Sequence, residues 1–172
     1  MGRRTAPMLI VGLAPGLHGA NKTGIPFTGD FSGELLFATL DKLEISPKKR
    51  TPKHIIPCAI TNAVRCVPPE NRPSAEEVGN CRPFLDHQIR TMTNLRAIVC
   101  LGKIAHDSVI RAVGLTLSGA KFSHGAIHKI ENSKVRIFDT YHCSRYNVNT
   151  RRLTASMFED IFASAKSYIL SP

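Results

Sequence analysis

The chain has 172 residues, 42% apolar and 21% charged, which is the length and composition of a single globular domain over residues 1–172. Its net charge of +10 favours a polyanionic partner such as nucleic acid. Its apolar runs are far shorter than the roughly 18–20 residues that span a bilayer, and the run at 8–11 is too brief for a signal peptide, so we expect a cytoplasmic protein and no membrane partner. The visible basic clusters are Lys48, Lys49 and Arg50 with Lys53, and Arg151 with Arg152.

The five cysteines argue against a disulfide framework, because their number is odd and no secretory signal precedes them. Cys58 and Cys100 lie inside apolar runs, which predicts buried thiols. Cys66, Cys81 and Cys143 lie in more polar surroundings and are considered separately below.

A buried strand is predicted over residues 8–14, and a helix over residues 32–45. Ser32 can cap this helix, and Asp30 is an alternative cap that could instead orient a water molecule. The apolar face of the helix is predicted from the i, i+4, i+7 spacing of Leu36, Leu40 and Leu43.

Residues 11–30 form a long loop rich in glycine and proline, and loops of this length are usually functional or disordered. The glycines first suggest a dinucleotide site. Pro15, Gly24 and Pro26 exclude it, because the helix that should follow the glycines at once cannot form there. Phe27 is an aromatic residue in this polar loop, either a core anchor or a platform on which a flat ligand stacks.

The rest of the chain alternates strands with helices. Strand patterns occupy residues 55–62, 97–101, 126–130 and 135–140. Helix patterns begin after a capping box formed by Ser74 and Glu77, after Gly102, and near Asn149. Such alternation predicts an α/β fold, a three-layer α/β/α sandwich around a mostly parallel sheet.

Ligands of such sheets bind beyond the C-terminal ends of the strands, which brings together the loops 14–30, 61–66 and 141–149. The amide of Asn62, in the second loop, could read the edge of a base or tie a turn. His142, in the third loop, follows a strand directly. It could act as a general acid or anion stabiliser, or be a structural histidine.

Three blocks of sequence fall in these loops. They read GLAPG followed by HGANKTGIPFTGDFSG, then TNAVRCVPPENRPS, then YHCSRYNVNTRRLT. In this order they resemble the family 5 uracil-DNA glycosylases, close relatives of the family 4 enzymes, from Leu9 to about Thr154. The resemblance implies a four-stranded parallel sheet, and a monomeric, nucleoid-associated enzyme that hydrolyses the N-glycosidic bond of a flipped uracil in DNA.

The resemblance also implies how the base is held. Phe27 would stack on the base, and Ala14, Pro15 and Gly16 would line the pocket. Asn62 would hydrogen-bond the base edge.

Catalysis and DNA contact are implied in the same way. His142 would donate to the uracil oxygen as the bond breaks. Ala14 stands where many relatives place an acidic or amide residue, so positioning of the attacking water falls to Asp30. Without a strong polar gate at that position we expect a broader range of deaminated bases, such as hypoxanthine. A wedge that enters the duplex would comprise Ser144, Arg145, Tyr146 and Asn147.

The sequence departs from the family at its cysteines. The family usually holds a 4Fe–4S cluster with four cysteines, and Cys66 and Cys81 match the second pair in their C-x14-C spacing. The first C-x-x-C pair has no counterpart, which leaves three explanations: a truncated chain, a mis-called start or a lost cluster. A buried thiol is the alternative for Cys81. Cys143 replaces the usual proline of the wedge loop, which is expected to free its backbone.

Two other functions stay open at the level of sequence. The missing cysteine pair and Cys143 are compatible with a degenerate relative that binds DNA without catalysis. An enzyme acting on small nucleotides is the weaker alternative, because the dinucleotide and P-loop spacings both fail.

Overall fold

The computed structural model describes residues 1–2, 4–48, 52 and 54–171, and its described part contains one six-stranded sheet. The strands are β1 (Met8–Gly12), β2 (Ile45–Ser46), β3 (Ile56–Asn62), β4 (Ala97–Leu101), β5 (Ile127–Lys129) and β6 (Arg136–Thr140). Their spatial order is β2-β3-β1-β4-β6-β5. β5 pairs with β6 antiparallel, and the other pairs are parallel.

The expectation of a four-stranded sheet is wrong in number. Four parallel strands, β3, β1, β4 and β6, form the centre, and the two-residue β2 and three-residue β5 extend the edges. β5 is antiparallel because the loop to β6 is short, whereas a parallel neighbour needs a long crossover. β2 was not predicted, because two residues are too few to show a strand pattern.

The described part of the chain contains six α-helices. They are α1 (Ala20–Thr23), α2 (Phe31–Lys42), α3 (Ala75–Thr91), α4 (Lys103–Ala112), α5 (Arg145–Asn149) and α6 (Ala155–Leu170). The capping box at the start of α3 is confirmed. The last long helix begins at Ala155 instead of near Asn149, because Thr154 caps it and α5 ends before it.

The two faces of the sheet are covered by different helix pairs, which confirms the predicted α/β/α sandwich. Successive side chains of β1 point to opposite faces. Met8 and Ile10 pack with α2 and α6, whereas Leu9 and Val11 pack with α3 and α4. No described helix is long and apolar enough to cross a membrane.

The buried thiols are also confirmed. Cys58 and Cys100 are almost fully buried on β3 and β4. Burial raises the pKa of Cys58 to about 12, and that of Cys100 well above its usual value, so both thiols stay protonated.

Candidate active site

The three loops predicted to meet do lie at the C-terminal edge of the sheet. Gly12 ends β1 and is paired in register with Asn62, the last residue of β3. His142 lies two residues beyond β6, on the other side of β4. The parallel strands therefore bring these three segments to one edge.

The side chains of Phe27 and Asn62 meet over Gly12 at this edge. A Cβ atom added to Gly12 would lie 2.3 Å from Phe27 Cζ and 2.5 Å from Asn62 Oδ1, so both side chains occupy the space that glycine leaves. Asn62 Oδ1 is buried and has no hydrogen-bond partner among the described residues. A buried acceptor without a donor costs stability, which suggests that a ligand supplies the donor.

Phe27 is fixed by the backbone as well as by packing. Its φ is +61°, in the left-handed region that a side-chain-bearing residue rarely adopts. Its carbonyl oxygen fits against Gly33, where an added Cβ would lie 1.9 Å away. The ring is 7% exposed and belongs to the core cluster with Leu36, which confirms the core-anchor alternative; stacking on a ligand stays a prediction.

A cavity of about 410 Å³ opens between the first loop and the end of β3. Its lining includes Pro15 and Pro26 on one side, and Asn62 and Arg65 on the other. Ala14 is half-buried and immediately precedes this wall. A larger cavity of about 640 Å³ lies between α3 and the end of α4, but none of the predicted site residues is among its described lining, so we assign the site to the smaller one.

Asp30, and not Ser32, caps α2. The backbone N–H of Gly33 donates to Asp30 Oδ1 at 2.8 Å. The other carboxylate oxygen, Oδ2, faces Gly16 and Gly19, and lies 3.5 Å from the position of a Cβ atom added to either. One oxygen therefore holds the helix, while the second is directed at the loop.

His142 is half-buried and packs on Gly102, the N-cap residue directly before α4. A Cβ added to Gly102 would lie 3.1 Å from His142 Cβ, and the φ of Gly102 is +93°, so glycine is required there. Burial lowers the pKa of His142, and the opposing charge of Asp30 raises it by less. The imidazole is therefore neutral at pH 7, with one N–H to donate.

This lowered pKa predicts how stability depends on pH. Below about pH 6.5 the unfolded chain protonates His142 more readily than the folded chain does, so the contribution of His142 to the stability of the wild type should fall with pH. The His142→Gln variant lacks this loss. We expect urea unfolding at pH 8 and pH 5 to show the free energy of unfolding of the wild type falling relative to the variant.

The control for this experiment is His87→Gln, whose side chain is exposed on α3. It should leave the pH trend of the wild type in place. A stability difference between wild type and His142→Gln that stays constant from pH 8 to pH 5 would contradict the assignment.

The loop after His142 contains the short helix α5, which was not predicted. Ser144 caps α5 by accepting from the N–H of Asn147 at 3.4 Å, and Asn147 Nδ2 donates to the His142 carbonyl at 2.8 Å. Ser144 and Asn147 thus hold the loop in shape. Arg145 and Tyr146 are exposed, with Tyr146 at 71%.

The family model for the uracil DNA glycosylase superfamily matches residues 1–166. The chain belongs to the uracil-DNA glycosylase superfamily.

Within the superfamily, the similar proteins include several type-5 uracil-DNA glycosylases, which confirms the predicted resemblance to that family. A type-5 uracil-DNA glycosylase of Thermus thermophilus is 37% identical over 165 residues, covering 94% of this chain and 75% of the relative. One of Mycobacterium leprae is 42% identical over 166 residues, covering 92% and 72%. A type-4 uracil-DNA glycosylase of Sulfurisphaera tokodaii is 32% identical over 161 residues, covering 91% and 69%.

The cysteines do not fit the iron–sulfur cluster that the resemblance to the family 4 and 5 enzymes implies. Cys66 is exposed and Cys81 is half-buried, and the Arg65 N–H donates to Cys81 Sγ at 3.5 Å. The three other thiols, those of Cys58, Cys100 and Cys143, are buried. Two thiolates cannot supply the four ligands of a 4Fe–4S cluster, so no part of the function proposed below depends on one.

Cys143 directly precedes the predicted wedge loop, residues 144–147, and connects it to α2. It is fully buried, and its thiol donates to the Ser32 carbonyl at 3.5 Å. Burial raises the pKa of this thiol to about 12. Packing therefore restrains the backbone here, although proline is missing.

The basic clusters are partly described. Lys49, Arg50 and Lys53 lie outside the described residues. Arg151 and Arg152 are exposed beyond the wedge loop, and the guanidinium carbon of Arg152 lies 4.6 Å from the centre of the Tyr141 ring.

One polar cluster near the site was missed by the sequence motifs. It consists of His106, His128 and Asp139, which are widely separated along the chain. Its signal in the sequence was Asp139, a carboxylate in the otherwise apolar pattern of β6, because such a residue is buried only when it is paired.

Proposed function

We infer that this member of the uracil-DNA glycosylase superfamily excises uracil from DNA. It draws the base out of the stack and hydrolyses the N-glycosidic bond, leaving an abasic site in an unbroken strand. The observation that carries this function is the buried, unpartnered Oδ1 of Asn62, beside a cavity at the strand ends.

Asn62 reads the Watson–Crick edge of the base. In uracil this edge offers an N–H donor beside a carbonyl acceptor, which the carbonyl and NH2 of an amide complement. Hypoxanthine, the product of adenine deamination, offers the same pair of groups. The side chain of Ala14 offers no polar group that would restrict the choice, so other deaminated bases are substrates as well.

His142 stabilises the leaving group, and Phe27 holds the base. Uracil departs with negative charge on its ring, and a preorganised N–H aimed at its oxygen stabilises that charge. The neutral state of His142 supports this role, because one ring nitrogen carries a proton without a buried positive charge. The Phe27 ring gives the flipped base an apolar surface next to Asn62. Pro15 lines the loop wall of the cavity, and Gly16 follows it in the chain.

Asp30 positions the attacking water and stabilises the cation-like sugar. The carboxylate is suited to this because its Oδ2 is not part of the cap bond to Gly33 and is directed at the glycines of the first loop. The negative charge of Asp30 also raises the pKa of His142, so the two groups interact electrostatically.

The wedge loop contacts the duplex. The protein acts as a monomer. Tyr146 and Arg145 are exposed at the tip, where an aromatic ring can replace the extruded base in the stack. The net charge of +10 strengthens binding to phosphates, so affinity should fall steeply with salt.

The deciding experiment uses a duplex oligonucleotide with one uracil. Incubation should give free uracil and a strand that breaks only after alkali, and a matched duplex with thymine at that position should stay intact. Tight binding of the uracil duplex by folded protein, without release of the base, would overturn the proposed function.

Replacing Asp30 separates its two roles. Asn caps helices as well as Asp, so Asp30→Asn should keep the stability of the wild type, whereas Asp30→Ala should lose about 1 kcal/mol. Both variants should lower the single-turnover rate about 10²-fold, because both remove the carboxylate. Normal turnover by Asp30→Asn would show that the residue is a helix cap alone.

A further inference from the structure

A buried hydrogen-bonded cluster is centred on Asp139, three residues before His142. Asp139 on β6 is fully buried, and its carboxylate lies 2.9 Å from Nδ1 of His106 on α4 and 2.8 Å from Nε2 of His128 on β5. His106 is 1% exposed, and its second nitrogen, Nε2, lies 2.9 Å from the Ala120 carbonyl. One carboxylate therefore joins three elements of the fold.

The protonation of His106 follows from its two hydrogen-bond partners, Asp139 and the Ala120 carbonyl. Both nitrogens of His106 face groups that only accept hydrogen bonds, so both must carry a proton. Burial alone would lower the pKa of His106, but Asp139 and the Ala120 carbonyl outweigh burial and raise it. The distances of 2.8–2.9 Å are those of hydrogen bonds, and they satisfy the cluster without a metal ion.

The cluster connects to both backbone segments that hold His142. His106 lies in the first turn of α4, and its backbone N–H donates to the carbonyl of Gly102. His142 packs on this same Gly102. Asp139 lies three residues before His142. Between them, the Thr140 carbonyl accepts from the Gly102 N–H at 2.8 Å.

We propose that Asp139, with His106 and His128, is a positioning residue that fixes His142 against the base. The carboxylate clamps α4 to β6, and thereby sets the separation between Gly102 and the backbone of His142. The proposal rests on the catalytic role proposed for His142. It differs from mere stabilisation of the fold, because it requires the rate of the chemical step to depend on the clamp.

The first test compares Asp139→Asn with Asp86→Asn, which removes a half-buried surface carboxylate paired with Arg90 on α3. Asp139→Asn should lower kcat about tenfold with KM within about twofold, since small misplacements of a catalytic group cost rate more than binding. The NMR signals of the His142 ring should move as well. Asp86→Asn should change neither quantity.

A second pair of variants keeps the test decisive if Asp139→Asn does not fold. His128→Leu removes the donor to Asp139, whereas His128→Gln keeps an N–H donor at the same place. His128→Leu should lower kcat about tenfold, and His128→Gln should restore most of it. His128 is partly exposed, so both changes fit at its position.

Several results would overturn the proposal. Folded variants with lower thermal stability but unchanged kcat and His142 signals would make the cluster purely structural. One equivalent of tightly bound zinc in the purified wild type would make it a metal site. The His142 signals are independent of uracil release, so an inactive wild type would refute the proposed function without deciding the position of His142.

Discussion

His142→Ala is expected to lower kcat for uracil release by about 10²–10³-fold, the usual cost of removing a preorganised donor from a developing anion. Binding of the uracil duplex should change little, since the donor acts mainly on charge that appears as the bond breaks. Single-turnover release of labelled uracil gives the rate, and fluorescence anisotropy at fixed salt gives the affinity.

The matched control is His18→Ala, an exposed histidine of the first loop. It should keep the wild-type rate. A parallel loss of rate and affinity in His142→Ala would contradict the donor role, because it would mean that the histidine shapes the DNA-binding surface instead.

Asn62→Leu should change stability and activity in opposite directions. The unpartnered Oδ1 is a cost to the folded protein, so a leucine of similar size should raise the free energy of unfolding by about 1–2 kcal/mol. The rate should fall about 10²-fold or more, because the N–H and the carbonyl of the base edge both lose their partner. Urea unfolding and single-turnover kinetics measure the two effects.

Thr39→Val is the control for this pair of effects. Thr39 Oγ1 on α2 is also buried without a hydrogen-bond partner among the described residues, but it lies away from the strand ends. Its replacement should raise stability without loss of rate. If Asn62→Leu instead destabilised the protein, the amide would be tying a turn, which was the other interpretation of this residue.

The strands and their common edge were predictable because their signals are local. The continuous apolar run at 97–101 and the capping box at Ser74 predict elements from a few neighbouring residues. Asp30 was one of two candidate caps, and the β-region backbone at Asp30 decided in its favour.

The features that could not be predicted from the sequence depend on tertiary packing. β2 is a strand because β3 offers it a free edge. The left-handed Phe27 is held by Gly33, six residues later, which no turn pattern indicates. The contact of Asp139 with His106 and His128 joins positions that only the folded sheet brings together.

Gly12 limits how the substrate range of this enzyme can be redesigned. Position 12 already has the smallest residue, and Phe27 and Asn62 fill the space beside it, so no further room for a bulkier base can be gained there. The strand pairing of Gly12 with Asn62 also holds the backbone in place. In a library selected on larger damaged bases, we therefore expect beneficial changes to collect in the loop 14–30 and to leave β1 and β3 unaltered.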